Sequence, residues 1–274
     1  MSSMPSDRQH RIHRHPAAPW AELRVSVNTR DCYRAHAHAE FSVGIVDAGC
    51  ATFHHPGGPQ QVRAGSVVLI EPGMVHSCNP LPGNIWSYRM LFIESEWLRN
   101  AVARAWGLAA PPDGLEWISR SIEDSAIAHW VDLWCRPVTS QAAAQALATD
   151  LPRWVAGQTR AGQPWDWAHV PAELIPALAA MQSGHEMRLT VQTLAEACGM
   201  SSSRFIRRFQ AACGMTPGSY LQNLRVNGAR RLLSQGIPLA DAAHAMGFAD
   251  QAHLQRAFKA HHAMTPGNYR SVPS

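Results

Sequence analysis

The sequence predicts an α+β fold in two parts: a barrel-like β domain followed by helices, and an all-α C-terminal domain. Three patterns predict it, namely short apolar runs between Gly and Pro turns over residues 24–94, helical spacing over 95–156, and a repeat in the last third. The chain has 274 residues, of which 46% are hydrophobic, so it can bury the cores of two ordinary domains.

Residues 1–19 are polar and basic, and they predict a disordered tail. No apolar stretch follows at the spacing of a signal peptide, and no run approaches the roughly 18 residues of a membrane helix. We therefore expect a cytoplasmic protein with no membrane partner. The six cysteines are scattered without a CxxC pair, which predicts reduced thiols rather than disulfides or a zinc cluster.

Short apolar runs bounded by Gly and Pro fill residues 20–94. Residues 41–46 alternate weakly between apolar and small residues, and residues 65–70 form an apolar run that begins at Gly65 and is followed by Pro72. Many short strands with such turns indicate a sandwich or a jelly roll.

Two histidine motifs lie within this β-rich part. His36-Ala-His38 and the run Glu-Pro-Gly-Met-Val-His over 71–76 resemble the two motifs of a cupin barrel. The resemblance implies a cupin-like sensor barrel over residues 20–94. The match is partial, because Glu40 follows His38 more closely than the metal-site glutamate of cupins does, and Glu71 replaces a proline.

Residues 95–156 predict a helical segment, with helices over 96–105, 122–135 and 139–155. Its tryptophans supply much apolar area for core packing, and they are Trp97, Trp106, Trp117, Trp130, Trp134 and Trp154. Residues 157–172 begin with a polar, breaker-rich stretch and predict a linker between the two domains.

The C-terminal part, residues 173–274, repeats itself at an offset of 49 residues. Eight of the sixteen positions from 205 to 220 are identical to those from 254 to 269. Each copy predicts a helix that ends at glycine and a second helix capped by Ser201 or Asp250. This is the helix-turn-helix pattern. A single helix between the copies would place their recognition helices in successive major grooves, roughly 34 Å apart.

Charge is distributed unevenly between the two parts. From residue 171 onward there are ten Lys/Arg and five Asp/Glu, a net charge of +5, whereas residues 1–170 hold fourteen and fifteen, a net charge of −1. This asymmetry fits a nucleic-acid-binding domain joined to a domain that does not contact phosphate.

Residues 189–270 resemble the DNA-binding domain of the AraC/XylS family of transcriptional regulators. The run 242–259, with Thr265-Pro266 and Tyr269-Arg270, follows the family signature in order and spacing. The departure is His262-Ala263, where the family has an aromatic residue and glycine, and we expect it to loosen the end of the second recognition helix. The resemblance implies binding to double-stranded promoter DNA, a homodimer formed through the helices after the barrel, activation, and contact with RNA polymerase.

Reading of DNA sequence needs exposed side chains that reach base edges. The predicted DNA contacts are Ser202, Ser203, Arg204, Ile206, Arg207 and Arg208 in the first unit, and Gln251, Ala252, His253, Gln255, Arg256 and Lys259 in the second. Ile206 and Ala252 follow from the family's reading positions. Arg208, Arg230, Arg231 and Lys259 are predicted to contact phosphates. Because Arg207 and Arg256 occupy the same repeat position, we favour DNA contact for this pair over a merely solvated basic face.

The resemblance also implies a small-molecule effector inside the barrel, with no cofactor. The predicted ligand-binding residues are His36, His38, Phe41, Phe53, His76, Trp86 and Tyr88, although core packing accounts for each one singly. The alternative is a metal-binding cupin sensor or a cupin enzyme fused to a DNA-binding domain, with His36, His38 and His76 as ligands. Such an enzyme needs an open metal position. The sequence shows no clear fourth ligand, so we predict no enzymatic activity.

Overall fold

The computed structural model describes residues 10–163, 170–186 and 189–270. Antiparallel strands dominate the N-terminal domain, and helices follow, as the α+β prediction required. The first eight strands are β1 (His10–His13), β2 (Ala21–Thr29), β3 (Phe41–Ala48), β4 (Cys50–His55), β5 (Gly58–Arg63), β6 (Val67–Ile70), β7 (Ser77–Pro80) and β8 (Trp86–Ile93). Three short strands come later, namely β9 (Gly114–Trp117), β10 (Ser121–Ile122) and β11 (Thr159–Gly162).

The first eight strands and β10 form two sheets. One has the order β1-β2-β8-β3-β6-β10, and the other has the order β5-β4-β7. Gly49 takes the chain from β3 in the first sheet to β4 in the second with a φ of 78°, and a Cβ there would lie 2.4 Å from the Ile85 carbonyl oxygen. The described strands of the predicted cupin-like domain thus form two open sheets, and the chain passes from one to the other at this turn.

The N-terminus of the described chain is ordered, which corrects the predicted tail over residues 10–19. His10–His13 pairs antiparallel with β2. His10 is only 6% exposed, with its Nδ1 2.9 Å from Ser26 Oγ and its Nε2 2.7 Å from Asp31. Side-chain hydrogen bonds and strand pairing therefore hold a segment whose composition resembles a polar tail. The rest of that prediction, residues 1–9, lies outside the described ranges.

Three helices pack on the six-stranded sheet: α1 (Ser95–Ala105), α2 (Ser125–Trp134) and α3 (Gln141–Gln158). Leu98, Val131 and Leu151 of these helices share one buried cluster with Phe41 of β3. The second helix begins three residues later than predicted. Ile122 pairs with β6, and the Asp124 carboxylate accepts hydrogen bonds from the first backbone N–H groups of α2.

The predicted linker is corrected at its beginning. Residues 157 and 158 belong to α3, and Thr159–Gly162 pairs antiparallel with β9. Thr159 is buried, and its hydroxyl donates a 2.7 Å hydrogen bond to the Val155 carbonyl. Strand pairing thus outweighs the polar composition of this stretch. Residues 164–169 of the predicted linker lie outside the part that the structure describes.

The C-terminal domain consists of helices. They are α4 (Ile175–Ser183), α5 (Val191–Ala197), α6 (Ser202–Cys213), α7 (Pro217–Ser234), α8 (Leu239–Ala245), α9 (Gln251–His262) and α10 (Pro266–Arg270), with a 3₁₀ turn at Ala172–Leu174. The pairs α5–α6 and α8–α9 are the two predicted helix-turn-helix units. Ser201 and Asp250 cap the recognition helices by accepting from the backbone N–H groups of Arg204 and His253.

Helix α7 joins the two units. It has 18 residues, so it spans about 27 Å. Tyr220 near its start belongs to the buried cluster of Phe205 and Phe209, whereas Val226 further along belongs to that of Phe258. Each unit thus has its own core, and α7 contributes to both. Over the described ranges, no helix combines the length and the hydropathy needed to cross a membrane.

Candidate DNA interface and effector cavity

The first recognition helix, α6, buries one face and exposes the other. Phe205 and Phe209 are fully buried in the core of the first unit. The predicted contacts occupy the remaining surface, where Ser202, Ser203, Arg204, Arg207 and Arg208 are exposed and Ile206 is half-buried. The period of the helix therefore separates core residues from candidate DNA contacts.

The second recognition helix, α9, is arranged in the same way. Leu254 and Phe258 are fully buried in the core of the second unit. The predicted contacts Gln251, Ala252, Gln255, Arg256 and Lys259 are exposed. His253 is half-buried, and its ring lies edge-on to Phe248 with 5.2 Å between centroids. His253 thus also supports the turn of this unit.

Arg207 and Arg256 occupy equivalent positions of the repeat, and both are exposed. Among the residues that the structure describes, neither guanidinium forms an ion pair with a carboxylate. Both side chains can therefore offer all their donors to a base edge or a phosphate.

Two of the predicted phosphate contacts have carboxylate partners inside the protein. Arg208 forms an ion pair with Glu173. Arg230 is more deeply placed, with a side chain only 11% exposed, and it pairs with Glu40 and Glu22 of the N-terminal domain. Burial lowers the pKa of Arg230, but the facing carboxylates outweigh burial and raise it. The prediction that Arg230 contacts phosphate is therefore wrong, because its charge is used between the domains.

A cavity of about 60 Å³ lies inside the β-rich domain. Five of the seven predicted ligand-binding residues line it, and they are His36, His38, His76, Trp86 and Tyr88. Phe53 is fully buried in the cluster around this cavity without lining it. Phe41 lines a different cavity of about 450 Å³, which lies between the domains beside Tyr220 and Asn223. The prediction that all seven residues share one pocket is thus wrong for these two phenylalanines.

The three predicted histidines lie together at the cavity. The His76 ring centroid is 4.4 Å from that of His36 and 4.9 Å from that of His38. Each Nδ1 lies 2.7 to 2.9 Å from a backbone carbonyl oxygen, so each ring donates from Nδ1 and leaves Nε2 as the acceptor.

These histidines are uncharged near neutral pH. Burial, reinforced by His38, lowers the pKa of His36 to about 3, and burial with both neighbours lowers the pKa of His76 well below its usual value. Burial also lowers the pKa of His38. Within the described chain, no three His, Cys, Asp or Glu side chains are grouped so that they could hold a metal ion. The cluster therefore supplies neutral polar groups to the cavity wall.

Arg24 also lines the cavity, although it was not among the predicted ligand-binding residues. Its guanidinium donates a 3.0 Å hydrogen bond to the Tyr33 hydroxyl, which lies 2.6 Å from the Tyr88 hydroxyl. The same NH₂ group donates to the carbonyl oxygen of His262, in the last turn of α9. An arginine at the start of the predicted β-rich stretch was the available signal, but the sequence gives no indication of a partner so distant along the chain.

Helix α7 makes further polar contacts with the N-terminal domain. The Asn223 and Asn227 side chains each donate a 2.8 Å hydrogen bond to the Ala37 carbonyl oxygen. In α10, the Tyr269 hydroxyl also donates to the N-terminal domain, to the Glu22 carboxylate at 2.7 Å. The residue between the two cupin-like histidines, Ala37, is thus held by the helix that connects the DNA-binding units.

Two family models match the two parts of this structure. Residues 20–156 match the AraC-like ligand binding domain, and residues 194–271 match a helix-turn-helix domain. A β-rich ligand-binding domain followed by paired recognition helices defines a DNA-binding transcriptional regulator. The chain belongs to the AraC family of such regulators.

Curated relatives carry related descriptions. YbfI of Bacillus subtilis, an uncharacterized helix-turn-helix regulator, is 24% identical over 226 residues, covering 80% of each chain. The transcriptional regulator AlkR of Acinetobacter baylyi is 35% identical over 107 residues, which cover 39% of this chain and 35% of AlkR. The transcriptional activator NphR of a Rhodococcus species is 34% identical over 90 residues, which cover 32% of this chain and 27% of NphR.

Solved structures of ToxT from Vibrio cholerae share the whole fold. An apo ToxT variant gives a TM-score of 0.58 at 11% identity, covering 96% of this chain and 100% of ToxT. ToxT with a bound unsaturated fatty acid gives 0.58 at 13% identity, covering 91% and 94%. At these identities the comparison shows a common fold, in which the β-rich domain and the paired helical units occur together.

Proposed function

We propose that this chain controls transcription by binding promoter DNA through α6 and α9, while its N-terminal domain binds a small effector. One observation carries the assignment of the DNA-reading face: Arg207 and Arg256 lie exposed at equivalent positions of two capped recognition helices, without carboxylate partners in the described structure. A guanidinium in this position can pair with guanine O6 and N7 in the major groove.

A titration of the full chain against DNA fragments from its own upstream region tests this face. Arg207→Ala and Arg256→Ala should each weaken binding to the preferred fragment by about 1–3 kcal/mol and relax base preference at one position. The matched control is Arg63→Ala, because Arg63 is an exposed arginine of β5, in the N-terminal domain. If both helix variants bind like the parent chain, α6 and α9 do not read DNA through these side chains.

We propose the cavity beside the histidine cluster as the effector site. Pockets for drug-sized ligands usually measure about 300–1,000 Å³, whereas this cavity measures about 60 Å³. The bound fatty acid belongs to ToxT, and a much smaller effector fits here. The Arg24 contact to the His262 carbonyl gives the cavity a direct connection to α9.

We infer a homodimer formed through the helices after the sheets, activation through contact with RNA polymerase, and action in the cytoplasm where promoter DNA lies. The name of NphR as an activator supports the direction of control. YbfI and AlkR are both named as transcriptional regulators, which supports a role without catalysis.

A further inference from the structure

The lining of the cavity beside the histidine cluster carries positive charge. In the described structure its lining contains the arginines Arg24 and Arg89 and no carboxylate. Arg89 is neutralised from outside the cavity, because Asp47 and Asp132 pair with its guanidinium. Arg24 has no such ion pair among the described residues. One arginine without a direct carboxylate partner therefore borders a cavity lined otherwise by aromatic, aliphatic and neutral polar groups.

Arg24 is buried, and its hydrogen-bond partners in the described structure are neutral. The residue is only 6% exposed, and its two recorded acceptors, the Tyr33 hydroxyl and the His262 carbonyl, are both neutral. Its Nε is buried without a hydrogen-bond partner. A buried cation needs a counter-ion and satisfied donors to offset its desolvation. The nearby acids Glu22 and Asp31 raise the pKa of Arg24 but form their direct contacts elsewhere, Glu22 with Arg14 and Asp31 with His10.

We propose that the effector is a small organic carboxylate whose carboxylate group pairs with Arg24. This inference rests on the proposed function and names the chemical class of its effector. A carboxylate in the cavity supplies the ion-pair partner that Arg24 lacks among the described residues, and charge-assisted hydrogen bonds are stronger than neutral ones. The apolar lining, which includes Ile45, Val68 and Met90, fits a short aliphatic chain. At about 60 Å³, the cavity fits an acid of only a few carbon atoms.

The same arginine connects the ligand to the DNA-binding domain. Arg24 donates to the carbonyl of His262, the last residue of α9. The next residue, Ala263, belongs to the buried cluster that also contains Tyr33 and Tyr88 of the cavity. An anion that draws the guanidinium toward itself changes its contact with the end of α9. Binding is coupled to DNA only by the difference in effector affinity between the two arrangements.

The test uses the full chain and three pairs of probes: acetate, propionate and butyrate, each with its neutral amide. Thermal unfolding is followed against probe concentration, with chloride holding the ionic strength constant. A ligand of the folded state raises the midpoint in a saturable way. We expect at least one acid to do so and to bind at least about tenfold more tightly than its amide. Equal effects of acids and amides, or no saturable effect of any acid, would overturn the proposal.

A variant locates the interaction. Arg24→Gln should weaken binding of the effective acid by at least about tenfold, whereas Arg63→Gln, at an exposed arginine in the same domain, should leave it unchanged. If Arg24→Gln binds the effective acid as tightly as the parent chain does, the acid does not pair with Arg24. If Arg24→Gln does not fold, the comparison of acid with amide in the parent chain still decides.

DNA titrations of the same samples separate this inference from the proposed function. If the chain binds an upstream fragment in a salt-sensitive way but does not respond to any acid, the carboxylate effector is refuted and the proposed DNA-binding regulator still stands. If only an amide binds in a saturable way, the cavity binds neutral ligands. In that case Arg24 is not a carboxylate partner. If the parent chain shows no sequence-dependent DNA binding, the proposed function itself is refuted.

Discussion

Gly214 and Ala263 end the two recognition helices at equivalent positions, and both adopt the left-handed backbone conformation, with φ of 72° and 53°. An L residue in this region costs roughly 1–2 kcal/mol, whereas glycine does not. The sequence suggested that alanine would loosen the end of α9. In the structure the Ala263 N–H still donates to the Lys259 carbonyl at 2.8 Å, and its methyl group is buried against the N-terminal domain. Burial of the methyl group offsets part of the backbone penalty.

Substitution of Gly214 tests this interpretation of the helix ends. Gly214→Ala should lower the free energy of unfolding by about 1 kcal/mol or more, because of the positive φ. The new Cβ would also lie 3.3 Å from Val75 Cγ1. Urea unfolding measures the change. The matched control is Gly218→Ala in α7, where a Cβ meets nothing within 4 Å and the change should be neutral or stabilising. Equal stabilities of the two variants would contradict the left-handed conformation at Gly214.

At the scale of elements, the sequence predicts best where the signals are local. The ends of α6 and α9 follow from Ser201, Asp250 and Gly214, each of which acts within one turn of its own helix. The strands β1 and β11 were missed because their stability comes from pairing with distant segments. Thr159, for example, is a β-branched residue in a polar stretch, and only its pairing opposite Trp117 makes it a strand residue.

Helix α2 leaves an apolar surface uncovered, which gives the proposed homodimer a testable location. Trp130 and Leu133 are 49% and 38% exposed. Their neighbours Val131 and Trp134 face the other way and are buried in the core. Trp130→Gln should raise the dimer dissociation constant at least about tenfold, since tryptophans often dominate interfaces. Sedimentation velocity over a range of protein concentrations measures the effect.

A second exposed apolar residue serves as the control for this experiment. Ile118 is 68% exposed and lies outside α2, so Ile118→Gln should leave the dissociation constant unchanged. Sedimentation of the Trp130 variant identical to that of the parent chain would remove α2 from the dimer interface. An equal loss of association in both variants would point to a different surface of the domain.

At the scale of the whole molecule, the contacts between the domains could not be predicted from the sequence. Asn223, Asn227 and Arg230 look like residues of a solvated or phosphate-binding helix face, yet all three bind the N-terminal domain. Their partners lie about 190 positions away along the chain, for example Glu40 for Arg230. Polar side chains carry no pattern that distinguishes water, phosphate and a carboxylate of another domain. The consequence is that α7, which joins both DNA-binding units, is also the helix that contacts the sensor domain.

The pH dependence of stability tests the packing between the domains. His261 lies on the buried side of α9, is only 4% exposed, and its Nδ1 is buried without a hydrogen-bond partner. Burial, followed by the positive charge of Arg34, lowers its pKa to about 4. An unfolded chain binds this proton below about pH 6.5. Stability should therefore fall as the pH decreases from 6.5 to about 4, by at most about 1.4 kcal/mol per pH unit from this residue.

His261→Leu removes this titration and the unpartnered nitrogen together. The variant should be at least as stable as the parent chain at pH 7, because a buried unsatisfied group costs about 1–3 kcal/mol. Between pH 6.5 and 4 its free energy of unfolding should fall less steeply, although His36 and His76 still contribute. Urea unfolding at several pH values measures both quantities. DNA affinity at pH 7 is the internal control, since His261 lies away from the exposed face of α9. Parallel pH curves for variant and parent would show that His261 is solvated, and that the two domains do not pack at this helix end as described.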